Sequence, residues 1–185
     1  MNQKHMADDR TIVQAMRKDM DSGFRLLMKC YGGPLYWHIR RMVVVHDDAN
    51  DVLQEALVRV FSHFSKYDGR NSFRAWIYSI ATREALRHLG RRQGKTILSL
   101  DDMTAIETAG MEQQEYFDNS DAIVAKLQKA ILLLPAKQQL AFNLRYYDEL
   151  PYSEIAEITG TSAASMKANY HVAKEKIVEY MNNND

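Results

Sequence analysis

An all-α chain arranged as two small helical domains joined by an acidic linker is what this sequence of 185 residues predicts. Three observations carry that expectation. Apolar residues recur at spacings of three and four, only three prolines and eight glycines punctuate the chain, and the charge pattern reverses abruptly near residue 95. With 46% hydrophobic and 26% charged residues the chain is globular rather than disordered.

Residues 12–20 have the pattern of a short first helix. Phe24, Leu27, Tyr31, Leu35, Ile39 and Met42 then continue at helical spacing, with Gly32, Gly33 and Pro34 expected to bend or break the run. Residues 47–64 form the clearest helix, with Leu53, Ala56, Leu57, Val60, Phe61 and Phe64 on one apolar face. Asp48, Asp51, Gln54 and Glu55 gather toward its start, where carboxylates complement the helix dipole. That accounts for Asp47 and Asp48; Asp51, Gln54 and Glu55, at i, i+3 and i+4, fit a docking surface for a basic partner equally well. A turn-rich loop, KYDGRNS over 66–72, leads into a helix over 73–92. Phe73, Trp76, Ile77, Ile80 and Ala81 can face the core, leaving Arg74, Tyr78, Arg83, Arg87, Arg91 and Arg92 outward. Aromatic rings beside guanidinium groups suit unpaired bases, and Tyr78 is the stacking candidate because core packing is the better reading of Trp76.

Charge divides the chain more sharply than its formal net charge of zero reveals. Between residues 70 and 95, Arg70, Arg74, Arg83, Arg87, Arg91, Arg92 and Lys95 face one acid, Glu84. Residues 96–121 hold no Lys or Arg, but Asp101, Asp102, Glu107, Glu112, Glu115, Asp118 and Asp121 supply acids. This stretch has no sustained helical period and marks a boundary, giving domains at 1–94 and 122–185 with a flexible linker over 95–121.

The second domain contains YSEIAEITGTSAASMKANYHVAKEKIVEYM over 152–181, which reads as a helix-turn-helix. Ile155, Ala156 and Ile158 give the first helix its apolar face, Gly160 supplies the positive φ of a tight turn, and Ser162 is placed to cap the second helix. Met166, Tyr170, Ala173 and Ile177 bury one face of that helix, while Ala164, Lys167, Ala168 and His171 occupy the face a recognition helix offers to the major groove. An ordinary αα-hairpin in a bundle would show much of the same pattern. The basic block elsewhere in the chain favours nucleic acid, since phosphate neutralisation supplies much of DNA affinity.

Other classes fit poorly. One cysteine, Cys30, lies in an apolar run and cannot form an internal disulfide, which fits a small core residue in a reducing, cytoplasmic setting. The polar N-terminus lacks a signal-peptide core, and no run approaches a membrane span. His5, His38, His46, His63, His88 and His171 include no pair at i, i+4, and CxxC, HExxH and Gly-rich phosphate loops are absent. No catalytic residue, metal or cofactor is expected, and the ten methionines read as adaptable core filler. A stand-alone helix-turn-helix regulator would explain residues 152–181 but not the acidic and arginine-rich helices.

Taken together, the blocks resemble a bacterial sigma-70 family factor of the extracytoplasmic-function (ECF) type, over nearly the whole of residues 24–181. DDANDVLQEALVRVF resembles region 2.2, FRAWIYSIATREALRHLGRR regions 2.3 and 2.4, and LLLPAKQQLAFNLRYYDELPYSEIAEITGTSAASMKANYHVAKEKI region 4. The resemblance implies a factor that binds core RNA polymerase, recognises the −35 and −10 promoter elements and opens DNA without covalent chemistry. It implies that Asp48, Asp51, Gln54, Glu55 and Phe61 bind the β′ coiled coil, while region 4 docks on the β flap. Tyr67, Arg70, Asn71 and Ser72 would belong to a loop capturing a base turned out of the −10 element, with Arg74, Tyr78, Arg83, Arg87, Arg91 and Arg92 meeting that element. Ser165, Lys167, Ala168, Asn169 and His171 would read the −35 element, and an anti-sigma factor is an implied partner. Arg83 and Arg87 stand where many relatives carry Asn and a second polar residue, so promoter preference does not carry over. Ala168 offers only a methyl contact. The acidic linker is expected to lie in the polymerase's nucleic-acid channel as a mimic.

Overall fold

The computed structural model describes residues 8–92, 94 and 122–183, which form eight α-helices and contain no strand among the described residues. The first helix, α1 (Asp9–Lys18), turns at once into α2 (Met20–Val43). The single helix expected over 12–20 therefore ends early, at Asp19. This residue is extended, with φ −149° and ψ 108°, and its carboxylate accepts a hydrogen bond from the Ser22 N–H at 3.2 Å. Hydrogen bonding to Ser22 holds the Asp19 carboxyl below its ordinary value of 3.8. Gly23 sits where the two helices meet. A Cβ there would lie 2.2 Å from the Met16 backbone nitrogen, so the hairpin closes only around glycine.

Contrary to the expected break, α2 continues through Gly32, Gly33 and Pro34. Proline loses one backbone hydrogen bond, but Leu27, Cys30 and Tyr31 before it and Leu35, His38, Ile39 and Met42 after it are buried, so packing along the helix outweighs the loss. Next come α3 (His46–His63), a 3-10 turn (Phe64–Lys66) and α4 (Phe73–Arg92). Phe61, expected on the core face of α3, is 41% exposed and meets Phe24 edge-on at 5.3 Å. The buried stripe of α3 runs through Ala49, Val52, Ala56 and Val60, and the next residue after Val60 falls about 100° off it.

The second half comprises α5 (Ala122–Leu132), α6 (Ala136–Phe142), a π-helical turn (Asn143–Tyr147), α7 (Tyr152–Thr159) and α8 (Ala163–Asn183). Ala130, Ile131, Leu134, Phe142, Ala173 and Ile177 form its own small core. Its remaining buried apolar residues, Leu140, Ala141, Leu144, Leu150, Ile155, Ile158 and Met166, join the cluster that fills α1–α4. The halves are thus packed together along one apolar seam, with α7 lying on α4. The linker placed at 95–121 lies outside the described residues. No helix among the described residues is long and apolar enough to cross a membrane.

Candidate functional site

The helix-turn-helix forms at the residues that predict it. Gly160 adopts φ 67°, its N–H donating to the Ala156 carbonyl at 2.9 Å, and the Ser162 hydroxyl accepts from the Ser165 N–H at 3.1 Å to cap α8. Met166, Ala173 and Ile177 are buried, and Tyr170 stacks on Phe142 with ring centroids 5.9 Å apart. The opposite face leaves Ala164, Ser165, Lys167, Ala168 and His171 exposed. Asn169 is half-buried, and its amide donates to the Ser165 carbonyl at 2.9 Å, so reading a base with it requires giving up that bond.

The loop before α4 is shaped by its own side chains. Tyr67 packs its ring on Phe73 and Trp76, at 5.3 and 5.2 Å, and donates its hydroxyl to the Asn71 carbonyl at 2.7 Å. Burial is the main reason its phenol titrates above the ordinary tyrosine value. Asp68 accepts from the Arg70 N–H at 3.0 Å, Gly69 takes φ 79°, and the Ser72 hydroxyl accepts from the Ala75 N–H at 3.3 Å at the start of α4. Between this loop and α1 lies an open cavity of about 520 Å³, lined by Arg10, Gln14 and Arg17 as well as Tyr67, Arg70 and Asn71. The contribution of α1 has no counterpart in the sequence reading, because it depends on how the α1–α2 hairpin folds back.

Along the rest of α4 the arginines are partly engaged. Arg83 is exposed and enters no ion pair among the described residues. Arg87 and Arg59 both bind Glu84, whose side chain is 2% exposed, so the lone acid of the basic block ties α3 to α4. Arg91 meets Glu55 at 2.9 Å, and Arg92 and His88 meet Asp48. The acidic start of α3 and the basic end of α4 therefore adjoin, leaving Asp47, Asp51 and Gln54 exposed there without an ion pair among the described residues.

Two expected outward residues of α4 are not outward. Tyr78 is 3% exposed, its ring 5.0 Å from that of His38, and burial with the nearby Asp148 charge pushes its phenol above the ordinary tyrosine range. Arg74 is half-buried and grips Glu154 of α7 through two hydrogen bonds of 2.8 and 3.1 Å. That carboxylate raises the already high arginine value further. The reason is tertiary: α7 covers this face of α4. Beside it, fully buried His38 donates from Nδ1 to Asp148 at 3.0 Å, with Nε2 2.9 Å from the Thr82 hydroxyl. Arg41 reaches the other Asp148 oxygen at 2.5 Å. Nothing local in the sequence marks Arg41, Asp148 or Glu154, because their partners lie tens of residues away.

This architecture has known counterparts. Residues 27–95 match the Sigma-70 region 2 family and residues 125–177 the Sigma-70 region 4 family. The chain is 27% identical over 176 residues to the ECF RNA polymerase sigma factor SigW of Bacillus subtilis, covering 91% of this chain and 93% of that one. It is 30% identical over 127 residues to the RNA polymerase sigma factor SigV of the same organism, covering 69% and 72%. To the ECF RNA polymerase sigma-E factor of Escherichia coli K12 it is 26% identical over 176 residues, covering 91% and 92%. In fold it is similar to CnrH, solved with the cytosolic domain of CnrY, at a TM-score of 0.72, 16% identity and coverage of 96% and 99%. It is also similar to the sigma factor RpoE of Bartonella quintana, solved with the anti-sigma factor NepR, at 0.59, 20% identity and coverage of 91% and 99%. With a region 2 bundle, a region 4 helix-turn-helix and full-length relatives of one kind, the chain belongs to the sigma-70 family of RNA polymerase sigma factors, as one of its ECF type.

Proposed function

We propose that this ECF sigma factor binds core RNA polymerase, carries it to promoters and opens the DNA there, acting in the cytoplasm and catalysing no reaction itself. The observation that carries the reading is the exposed face of α8, with Ser165, Lys167, Ala168 and His171 free to enter a major groove. Region 4 reads the −35 element through this face, with Asn169 at its edge. Region 2 takes the −10 element on the loop of Tyr67, Arg70, Asn71 and Ser72 and on the arginines of α4. The cavity beside that loop has the size and mixed lining to take an unstacked base, whose capture offsets the few kcal/mol of unstacking. Asp48, Asp51, Gln54, Glu55 and Phe61 lie on α3, whose exposed polar face and half-exposed aromatic ring suit a basic, amphipathic partner such as the β′ coiled coil. Region 4 docks on the β flap. An anti-sigma factor is the expected regulator, by analogy with the NepR complex of the RpoE neighbour.

The test is transcription by purified core polymerase on a pool of genomic promoters with and without the chain. New, aligned start sites that appear only on its addition support the proposal. Unchanged start sites, or no association with core polymerase, overturn it.

A further inference from the structure

Two guanidinium groups of region 2 are occupied by carboxylates of region 4. Arg74 holds Glu154 through Nε and Nη2, the forked geometry that fits a carboxylate or a phosphate alike. Arg41 holds one oxygen of Asp148 and His38 the other, and the Asp148 side chain is 4% exposed. Tyr78 is buried between the pairs and feels the charges of all four residues. Glu154 lies in the first turn of α7, and Asp148 ends the π-helical turn, followed by Glu149 at φ 53°. Both acids thus project from one edge of region 4 onto the face of region 2 where α2 and α4 meet.

We propose that Arg41 and Arg74 form a two-point site for a nucleic-acid backbone, masked in the free chain by Asp148 and Glu154, which stand where phosphates would lie. Region 4 is therefore an intramolecular competitor of DNA for region 2. The masking is one-sided: the reading face of α8 stays exposed while Tyr78 is buried and Arg41 and Arg74, both only partly exposed, are tied to carboxylates of region 4. The free chain keeps its −35 reader on display and the Arg41–Arg74 part of its −10 side closed, while Arg70 and Arg83 stay exposed. The inference deepens the promoter-binding reading of α4 and rests on it. It adds Arg41 to that surface and makes Tyr78 reachable only when the halves part.

The electrostatic contacts are the lever for opening. Neutralising Asp148 leaves Arg41 and His38 facing an amide in a low-dielectric seam, and parting the halves is the way to return the charge to water. The test uses the full chain without polymerase, reading its radius of gyration by small-angle X-ray scattering and its affinity for a fluorescein-labelled single-stranded oligonucleotide by anisotropy. Asp148→Asn with Glu154→Gln should enlarge the radius and tighten oligonucleotide binding by roughly tenfold, a coupling of ordinary size. Glu154→Gln alone, at a site that leaves the buried His38 cluster untouched, should move both readings in the same direction by less. Arg74→Gln with Arg41→Gln should enlarge the radius without tightening binding. Arg74→Glu with Glu154→Arg should close the chain again. Radii and affinities of the acid variants that stay at the wild-type values overturn the proposal, as does opening of the acid variants without tighter binding. Run-off transcription by the same variants with core polymerase separates that failure from failure of the promoter reading: the acid variants still direct initiation if the family role holds.

Discussion

Tyr78 is 3% exposed, with its ring 5.0 Å from that of His38. Its phenol is held above the ordinary value of 10.0 by burial first and by Asp148 second. The native state therefore keeps it neutral while the unfolded chain ionises it. Its contribution to stability is fully present below pH 10 and is lost as pH rises through the folded value. Replacing Tyr78 by Phe removes that group, so the denaturation midpoint of Tyr78→Phe should fall less steeply than that of the wild type above pH 10. Parallel curves would show that the ring is solvated. Asp19 has the opposite sign: its depressed carboxyl contributes above its ordinary 3.8 and loses that contribution as pH falls through the lower native value. Asp19→Ala should lower the melting temperature at neutral pH, with the gap closing in acid.

At the scale of elements, glycines and caps decide where helices turn. Gly23→Ala drives a methyl into the backbone of Met16 and should cost about 3 kcal/mol or more, beyond the usual overpacking penalty, read from denaturant midpoints at constant slope. Gly160 has open space around its missing Cβ but a φ of 67°. Gly160→Ala should therefore cost only about 1–2 kcal/mol, from backbone strain alone. Ser162→Ala removes the cap of α8 and should cost about 1 kcal/mol, read from the same denaturant midpoints. The ranking Gly23 above Gly160 is the discriminating outcome, since a local view of glycine would reverse it. The turn at Gly160 was legible because turn chemistry is local. The role of Gly23 was not, because what it meets is the backbone of another helix.

For the whole molecule, the shared core makes the two halves one cooperative unit. Leu144 is fully buried in the cluster that also holds Ile39 and Ile77. Leu144→Ala should lower the stability of both halves together by about 2–5 kcal/mol in one calorimetric transition. Two separate transitions in the wild type would mean that the seam contributes little. Interdomain motion is the default across small polar contacts, and here an apolar seam flanked by two ion pairs opposes it. If the Arg41–Arg74 site takes a nucleic-acid backbone as proposed, a ligand that binds it should weaken the closed form by mass action.

The sequence by itself determined that the chain is helical, where α3, α4, α7 and α8 run, that Gly160 and Ser162 set the reading helix, and which residues that helix displays. Those features follow from periodicity and from bonds spanning a few residues, which any chain with this pattern would make. Only the tertiary structure decided that Pro34 leaves α2 continuous, that Phe61 lies off the core stripe, that Tyr78 is buried and that Arg74 is paired with Glu154. It alone pairs Arg41 with Asp148 across 107 positions of chain. Such contacts depend on the summed burial of many side chains and on where one helix crosses another. Neither quantity is written in the spacing of residues along a single helix.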